Sequence, residues 1–237
     1  MSIKDDFLEI FYPPKCIVCN DVIMDEGYCN NCIDKIKTIT EPTCFSCGID
    51  LKQCECNRYV YHFDGITAPY FNETYAQEAV YDLKFKRRFN CLKTFSTQMA
   101  LRALKVFGKE NIDVVCFVPA TKKSLNMRGF NQSMLFAREI AKAINVKIDY
   151  SVLQKKEDTA TQHSFSSAYD RYRNIRNSYY TTHRMDGLSV LLVDDIKTTG
   201  ASLDECARQL KFAGAERVYC VTALISRLKN KKTNNST

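Results

Sequence analysis

The 237-residue sequence contains no uninterrupted run of about 18 apolar residues, the length that a membrane-crossing helix requires. Its start, MSIKDDFLEIFYPPKC, has no basic segment leading into an apolar core, as an export signal would. Neither a membrane span nor secretion is therefore expected, and the expected location is cytoplasmic. Internal repeats and low-complexity tracts are absent as well, apart from a polar tail over 229–237. With 45% hydrophobic positions the chain can bury at least one ordinary core, which excludes a natively disordered protein.

What the sequence has in quantity is cysteine, with twelve. In a reducing compartment, clustered cysteines point to metal ligands or free thiols rather than disulfides. Eight lie close together, as Cys16-x2-Cys19, Cys29-x2-Cys32, Cys44-x2-Cys47 and Cys54-x-Cys56. Two thiolates two residues apart sit on one tight knuckle, and two knuckles complete a tetrahedral site around zinc with sulfurs at about 2.3 Å. Eight cysteines suit two zinc ions. Sequential sets, 16/19/29/32 and 44/47/54/56, are the simpler pairing, and a crossed arrangement satisfies the same spacing. An iron–sulfur cluster and a redox-active pair use similar motifs and remain as alternatives. The single-residue gap between Cys54 and Cys56 departs from the knuckle spacing. A site closed by four thiolates has no open coordination position, so the expected role is structural. Cys91, Cys116, Cys206 and Cys220 stand in apolar surroundings and read as core residues.

Charge divides the chain at the same place. Residues 1–62 hold 6 Lys/Arg and 10 Asp/Glu, leaving a net charge of +11 on residues 63–237. The expected organisation is a cysteine-rich metal-binding domain over 1–62, a second domain over 63–228 and a tail over 229–237. A basic body attracts phosphate-bearing ligands or nucleic acid, although a solvated charged surface has the same composition.

In the body, apolar spacing predicts helices over Glu73–Phe85, Leu92–Phe107, Ser133–Ile144 and Ser202–Phe212. Strands are predicted over Val114–Val118, Val146–Leu153, Leu188–Val193 and Val218–Leu224, with a long polar stretch over residues 154–177. Alternating strands and helices predict an α/β fold, with a mainly parallel sheet whose ligands gather at the carboxyl ends of the strands.

The sharpest motif is Val190-Leu-Leu-Val-Asp-Asp-Ile-Lys-Thr-Thr-Gly-Ala-Ser202. An apolar strand ends in two carboxylates, Asp194 and Asp195, and a turn of small residues then opens a helix. Thr198, Thr199, Gly200, Ala201 and Ser202 offer hydroxyls and backbone N–H groups at a helix N-terminus, where a phosphate is favoured. The carboxylates accept hydrogen bonds from sugar hydroxyls or hold a hydrated magnesium ion. The glycine and lysine spacing of a P-loop and the three glycines of a dinucleotide fingerprint are both absent.

This segment resembles the phosphoribosyl pyrophosphate (PRPP) signature of type I phosphoribosyltransferases. Leu83-Lys-Phe-Lys86, Val118-Pro119, Arg128-Gly-Phe-Asn-Gln132, Thr159-Ala-Thr-Gln-His163 and Arg173-Asn174 precede it in the same chain. With the cysteine head, these stretches resemble the ComF family of competence proteins. The resemblance implies a type I phosphoribosyltransferase-like parallel sheet flanked by helices, behind an N-terminal double zinc ribbon. It implies PRPP bound with Mg2+ by Asp194, Asp195, Lys197, Thr198, Thr199, Gly200, Ala201 and Ser202. Lys122, Lys123 and Arg128 become candidates to face the pyrophosphate, where the planar fork of arginine suits two phosphate oxygens. Residues 155–177 correspond to a mobile lid, in which Thr161, Gln162 and Asn174 are candidate contacts to substrate or DNA and His163 is a candidate proton carrier.

The implied role is the handling of single-stranded DNA during natural transformation, with a competence DNA helicase as partner. The alternative is an enzyme that transfers the phosphoribosyl group of PRPP to a base or other nucleophile. No acceptor pocket is legible, so no catalytic residue is assigned. The stretch Lys84-Phe-Lys-Arg-Arg-Phe89 interleaves aromatics with cations, as surfaces that stack single-stranded bases do. It reads equally as a helix end with buried phenylalanines and solvated charges.

Overall fold

The computed structural model describes residues 14–24, 27–56, 60–156 and 175–227. The motif Thr159–His163, the pair Arg173-Asn174, most of the expected lid and the polar tail lie outside the described residues.

In chain order the regular elements are β1 (Gly65–Thr67), β2 (Tyr70–Phe71), α1 (Thr74–Lys86), α2 (Asn90–Phe107), β3 (Val114–Phe117), α3 (Lys122–Arg128), α4 (Gln132–Ile144), β4 (Lys147–Ile148), β5 (Leu153–Lys155), β6 (Tyr179–Thr181), β7 (Ser189–Lys197), α5 (Ala201–Phe212) and β8 (Arg217–Ile225). Six strands form one sheet in the order β1-β8-β7-β3-β4, with β2 also on β8, and every pairing is parallel. Continuous apolar runs suit such strands because helices cover both faces. On one face Leu191, Val193 and Val221 pack with Phe95 of α2 and with Phe136 and Ile140 of α4. On the other, Val190, Leu192 and Cys220 pack with Leu203, Cys206 and Leu210 of α5.

The cysteine head joins this second core. Ile39, Cys44, Cys47, Ile49 and Cys56 are buried in the same cluster as α5 and the sheet. Backbone bonds stitch the two parts together: the Ile39 amide donates to the Pro69 carbonyl at 2.8 Å, Ile66 to Phe45 at 3.0 Å and Phe71 to Lys37 at 3.0 Å. A head with few large apolar residues thus borrows part of its core from the sheet.

Most expected elements appear within two residues of their predicted ends, and three differences matter. The strand expected over Val146–Leu153 splits. Asp149 turns the chain by accepting amide hydrogen bonds from Ser151 and Val152, so that β4 ends and β5 starts a separate antiparallel ribbon with β6. The strand expected to end at Val193 runs on to Lys197, because β8 continues to pair with it through Asp194, Ile196 and Lys197. The segment after Pro119 forms a short helix, capped by the Thr121 hydroxyl accepting from the Ser124 amide at 3.0 Å.

Candidate ribose-phosphate site and metal centres

The eight clustered cysteines gather in two sets, Cys16/Cys19/Cys29/Cys32 and Cys44/Cys47/Cys54/Cys56, with all sulfurs of a set within 4.8 Å of one another. Neighbouring sulfurs are 3.7 Å apart for Cys19–Cys29 and Cys44–Cys56, and 3.5 Å for Cys47–Cys54. Sulfurs at about 2.3 Å from a tetrahedral ion stand about 3.8 Å apart, so both sets have the dimensions of a zinc site. The short Cys54-x-Cys56 step still places its sulfurs 3.4 Å apart within the second set. Burial opposes ionisation of the Cys16 thiol, but the amides of Cys19, Cys29 and Val18 outweigh it and lower its pKa to about 6, whereas burial raises the Cys32 thiol of the same set. Zinc binding requires the donors of a set to ionise, so it would release protons. Cys91, Cys116, Cys206 and Cys220 are buried apart from these sets.

At the end of β7, successive side chains leave opposite faces of the strand, so the two carboxylates meet different partners. Asp194 accepts from the Ser133 hydroxyl of α4 at 2.7 Å and from the Asp195 amide at 2.9 Å. Asp195 pairs with the Lys84 ammonium of α1 and accepts from the Ile196 amide at 2.7 Å. Burial, and then the neighbouring charge of Asp195, push the Asp194 carboxyl from 3.8 up to about 7. Because its proton is held more tightly in the folded state, Asp194 adds stability in acid that is lost as the pH rises towards about 7. Any divalent cation that binds this carboxylate would have to displace that proton, so its affinity is expected to fall several-fold as the pH drops below about 7, readable by magnesium titration calorimetry.

The turn after β7 is built around a glycine. Gly200 takes φ +84°, and a Cβ there would meet the Tyr61 ring at 3.2 Å and Lys197 at 3.3 Å. Only glycine fits both the backbone and the space. The Thr199 carbonyl accepts from the Tyr61 hydroxyl at 3.1 Å, and the Thr199 hydroxyl accepts from the Ala201 amide at 3.3 Å. Asp204, in the first turn of α5, accepts from the His62 amide at 2.6 Å. Residues 61–62, between the head and the body, thus brace the turn from below.

Lys197 is 1% exposed, and its ammonium lies 5.8 Å from the centroid of the Tyr61 ring. Burial lowers its pKa, opposed by the negative field of Cys47, Cys56 and Cys44. Its Nζ is buried with no hydrogen-bond partner among the described residues. Lys122 and Lys123 are exposed at the start of α3. Arg128, in the last turn of α3, donates to the Gln132 side chain at 3.3 Å and stacks 5.0 Å from the centroid of the Phe85 ring.

The motif readings did not identify Lys84 or Ser133 as partners of the acidic pair. Lys84 stood in a basic stretch that read as a nucleic-acid surface, and Ser133 carried no signal beyond its place in a helix. In that stretch Phe85 and Phe89 are 48% and 47% exposed, which removes the reading of a helix end with buried phenylalanines.

Among known families, the double zinc ribbon domain matches residues 7–60 and the phosphoribosyl transferase domain matches residues 131–236. The chain is similar to the DNA utilization protein YhgH of Escherichia coli strain K12, with 31% identity over 147 residues, covering 60% of this chain and 64% of that protein. Competence protein F of Haemophilus influenzae is 25% identical over 221 residues, covering 88% of this chain and 95% of that one. Competence protein ComFC of Bacillus subtilis is 24% identical over 208 residues, covering 78% of each. The match to YhgH thus spans a little under two thirds of that relative. No helix among the described residues is long and apolar enough to cross a membrane.

Proposed function

We propose that this chain, a ComF-family protein by its double zinc ribbon, its phosphoribosyltransferase domain and its competence-protein relatives, binds Mg·PRPP and handles single-stranded DNA in the cytoplasm during natural transformation. The observation that carries the ligand half is the junction of β7 and α5. Two carboxylates stand in the last residues of a parallel strand that runs to Lys197, and a glycine turn held by Tyr61 then leads into a helix N-terminus. A ligand with a ribose between a monophosphate and a magnesium-bound pyrophosphate matches that order of groups.

In this reading Asp194 and Asp195 take the ribose hydroxyls or the waters of the cation. The amides and hydroxyls of Thr198–Ser202 take the 5′-phosphate, and Arg128 faces the pyrophosphate. Magnesium, when bound, would neutralise the pyrophosphate charge. Lys197 contributes by supporting the turn from beneath. The two zinc ions would be structural, each held by one four-cysteine set.

The DNA half rests on the names of the relatives and on one surface. Tyr81, Phe85 and Phe89 are about half exposed beside Lys86, Arg87 and Arg88, on a body of net charge +11. Exposed rings stack bases without sequence preference while cations neutralise the backbone. A competence helicase is the partner this role calls for.

Fluorescence anisotropy of labelled single-stranded DNA, with and without Mg·PRPP across a salt series, tests the reading. Binding is expected to weaken with salt and to change when Mg·PRPP is added. Binding no tighter than that of an unrelated basic protein would remove the DNA role. Transfer of the phosphoribosyl group to a nucleophile would then become the reading to pursue.

A further inference from the structure

The acidic pair is already occupied by a cation of the protein itself. Lys84, near the C-terminal end of α1, places its ammonium on Asp195, with side chains only 19% and 12% exposed. The next residues of the same segment are tied to the element that carries the expected pyrophosphate contact. The Phe85 ring lies under the Arg128 guanidinium at 5.0 Å, and the Arg87 guanidinium donates to the Arg128 carbonyl at 3.4 Å. Phe89 packs on Phe130, with ring centroids 5.4 Å apart. Arg87 itself ends α1 in the left-handed region, at φ +53°. A non-glycine residue is disfavoured there, so surrounding contacts must hold it.

We infer that the segment Lys84–Phe89 is a latch, closed by Lys84 on Asp195 and by Arg128 on Phe85, which occupancy of the ribose-phosphate site opens. The inference rests on the PRPP reading above. A magnesium ion or ribose hydroxyl competes with the Lys84 ammonium for Asp195. A pyrophosphate competes with the Phe85 ring for the Arg128 fork, because a charge-assisted bidentate pair is stronger than a cation–ring contact. Both events remove a partner from one six-residue segment. A ligand shifts a conformational equilibrium only by its differential contacts with the two states, and these two displacements supply that difference. The face of the half-exposed Phe85 ring that Arg128 covers is then open to an unpaired base, which adds to the stacking surface already exposed there, so one site would govern the other.

The chain contains no tryptophan, which makes a single reporter possible. In a Phe85→Trp protein, saturating Mg·PRPP is expected to shift emission to longer wavelength and to increase quenching by neutral acrylamide. Adding Lys84→Met is expected to give the open-state emission before any ligand, with little further change on titration. Lys84→Arg keeps the ion pair and is expected to restore the ligand response. Calorimetry on the same proteins separates the two ideas. Heat of binding with an unmoved tryptophan signal would overturn the latch and leave the PRPP reading standing. An unaltered ligand response in the Lys84→Met protein would also overturn it. No heat of binding in the Phe85→Trp protein or the natural sequence would overturn both.

Discussion

Replacing Asp194 and Asp195 together by asparagine is expected to weaken Mg·PRPP binding by on the order of 100-fold or more, while zinc content stays unchanged. Each hydrogen bond to a charged group contributes about 1.5–3 kcal/mol, and every 1.4 kcal/mol is about tenfold in affinity, so losing two carboxylates costs at least about two decades. The fold should tolerate the change. Asn at 194 can still accept from the Ser133 hydroxyl, and the burial that raises the Asp194 pKa to about 7 already favours a neutral group there. Asn at 195 leaves Lys84 unpaired at a partly exposed position. Isothermal calorimetry with Mg·PRPP, beside elemental analysis for zinc, is the measurement. An unchanged affinity would remove these carboxylates from the site. A lowered affinity accompanied by lost zinc would mean that the substitution had disturbed the fold instead.

Elemental analysis of the natural chain is expected to find about two zinc ions and no iron, and Cys47→Ser is expected to remove one of the two. The consequences should differ between sites. Structural zinc contributes about 10–16 kcal/mol in isolated zinc-finger peptides, as much as the whole stability of an ordinary domain. Cys44, Cys47 and Cys56 lie in the core shared with Val190, Leu192 and Leu203, so emptying the second set should disturb the sheet face beneath the ribose-phosphate turn. A fall in melting temperature of more than about 10 °C is expected for Cys47→Ser, given a shift of about 2–4 °C per kcal/mol at this size. Cys19 of the first set is exposed, so a chelator should withdraw that zinc first, with a smaller effect on ligand binding. Finding no zinc would remove the metal reading of the head altogether, and simultaneous release of both ions at one rate would remove the asymmetry.

The sequence by itself determined the parts whose chemistry is local. Cys-x2-Cys knuckles, an apolar strand carrying Asp194-Asp195 and the turn Thr198–Ser202 each depend on residues adjacent in the chain, so spacing alone announces them, although the last residues of that strand needed pairing with β8. The parallel α/β sheet was legible for a similar reason, since continuous apolar runs alternated with helical spacing. What only the tertiary structure decided are meetings between distant residues. Lys84 reaches Asp195 across 111 positions and Ser133 reaches Asp194 across 61. Tyr61 holds the Thr199 carbonyl from 138 positions away. The short strands β1 and β2 form because β8 offers a free edge, not because three or two residues announce a strand. Nothing within α1 distinguishes Lys84 from Lys86, which pairs with Asp82 four positions earlier on the same helix. The difference is made in three dimensions: Lys84 reaches the partly buried Asp195 carboxylate of β7, whereas Lys86 pairs within its own helix.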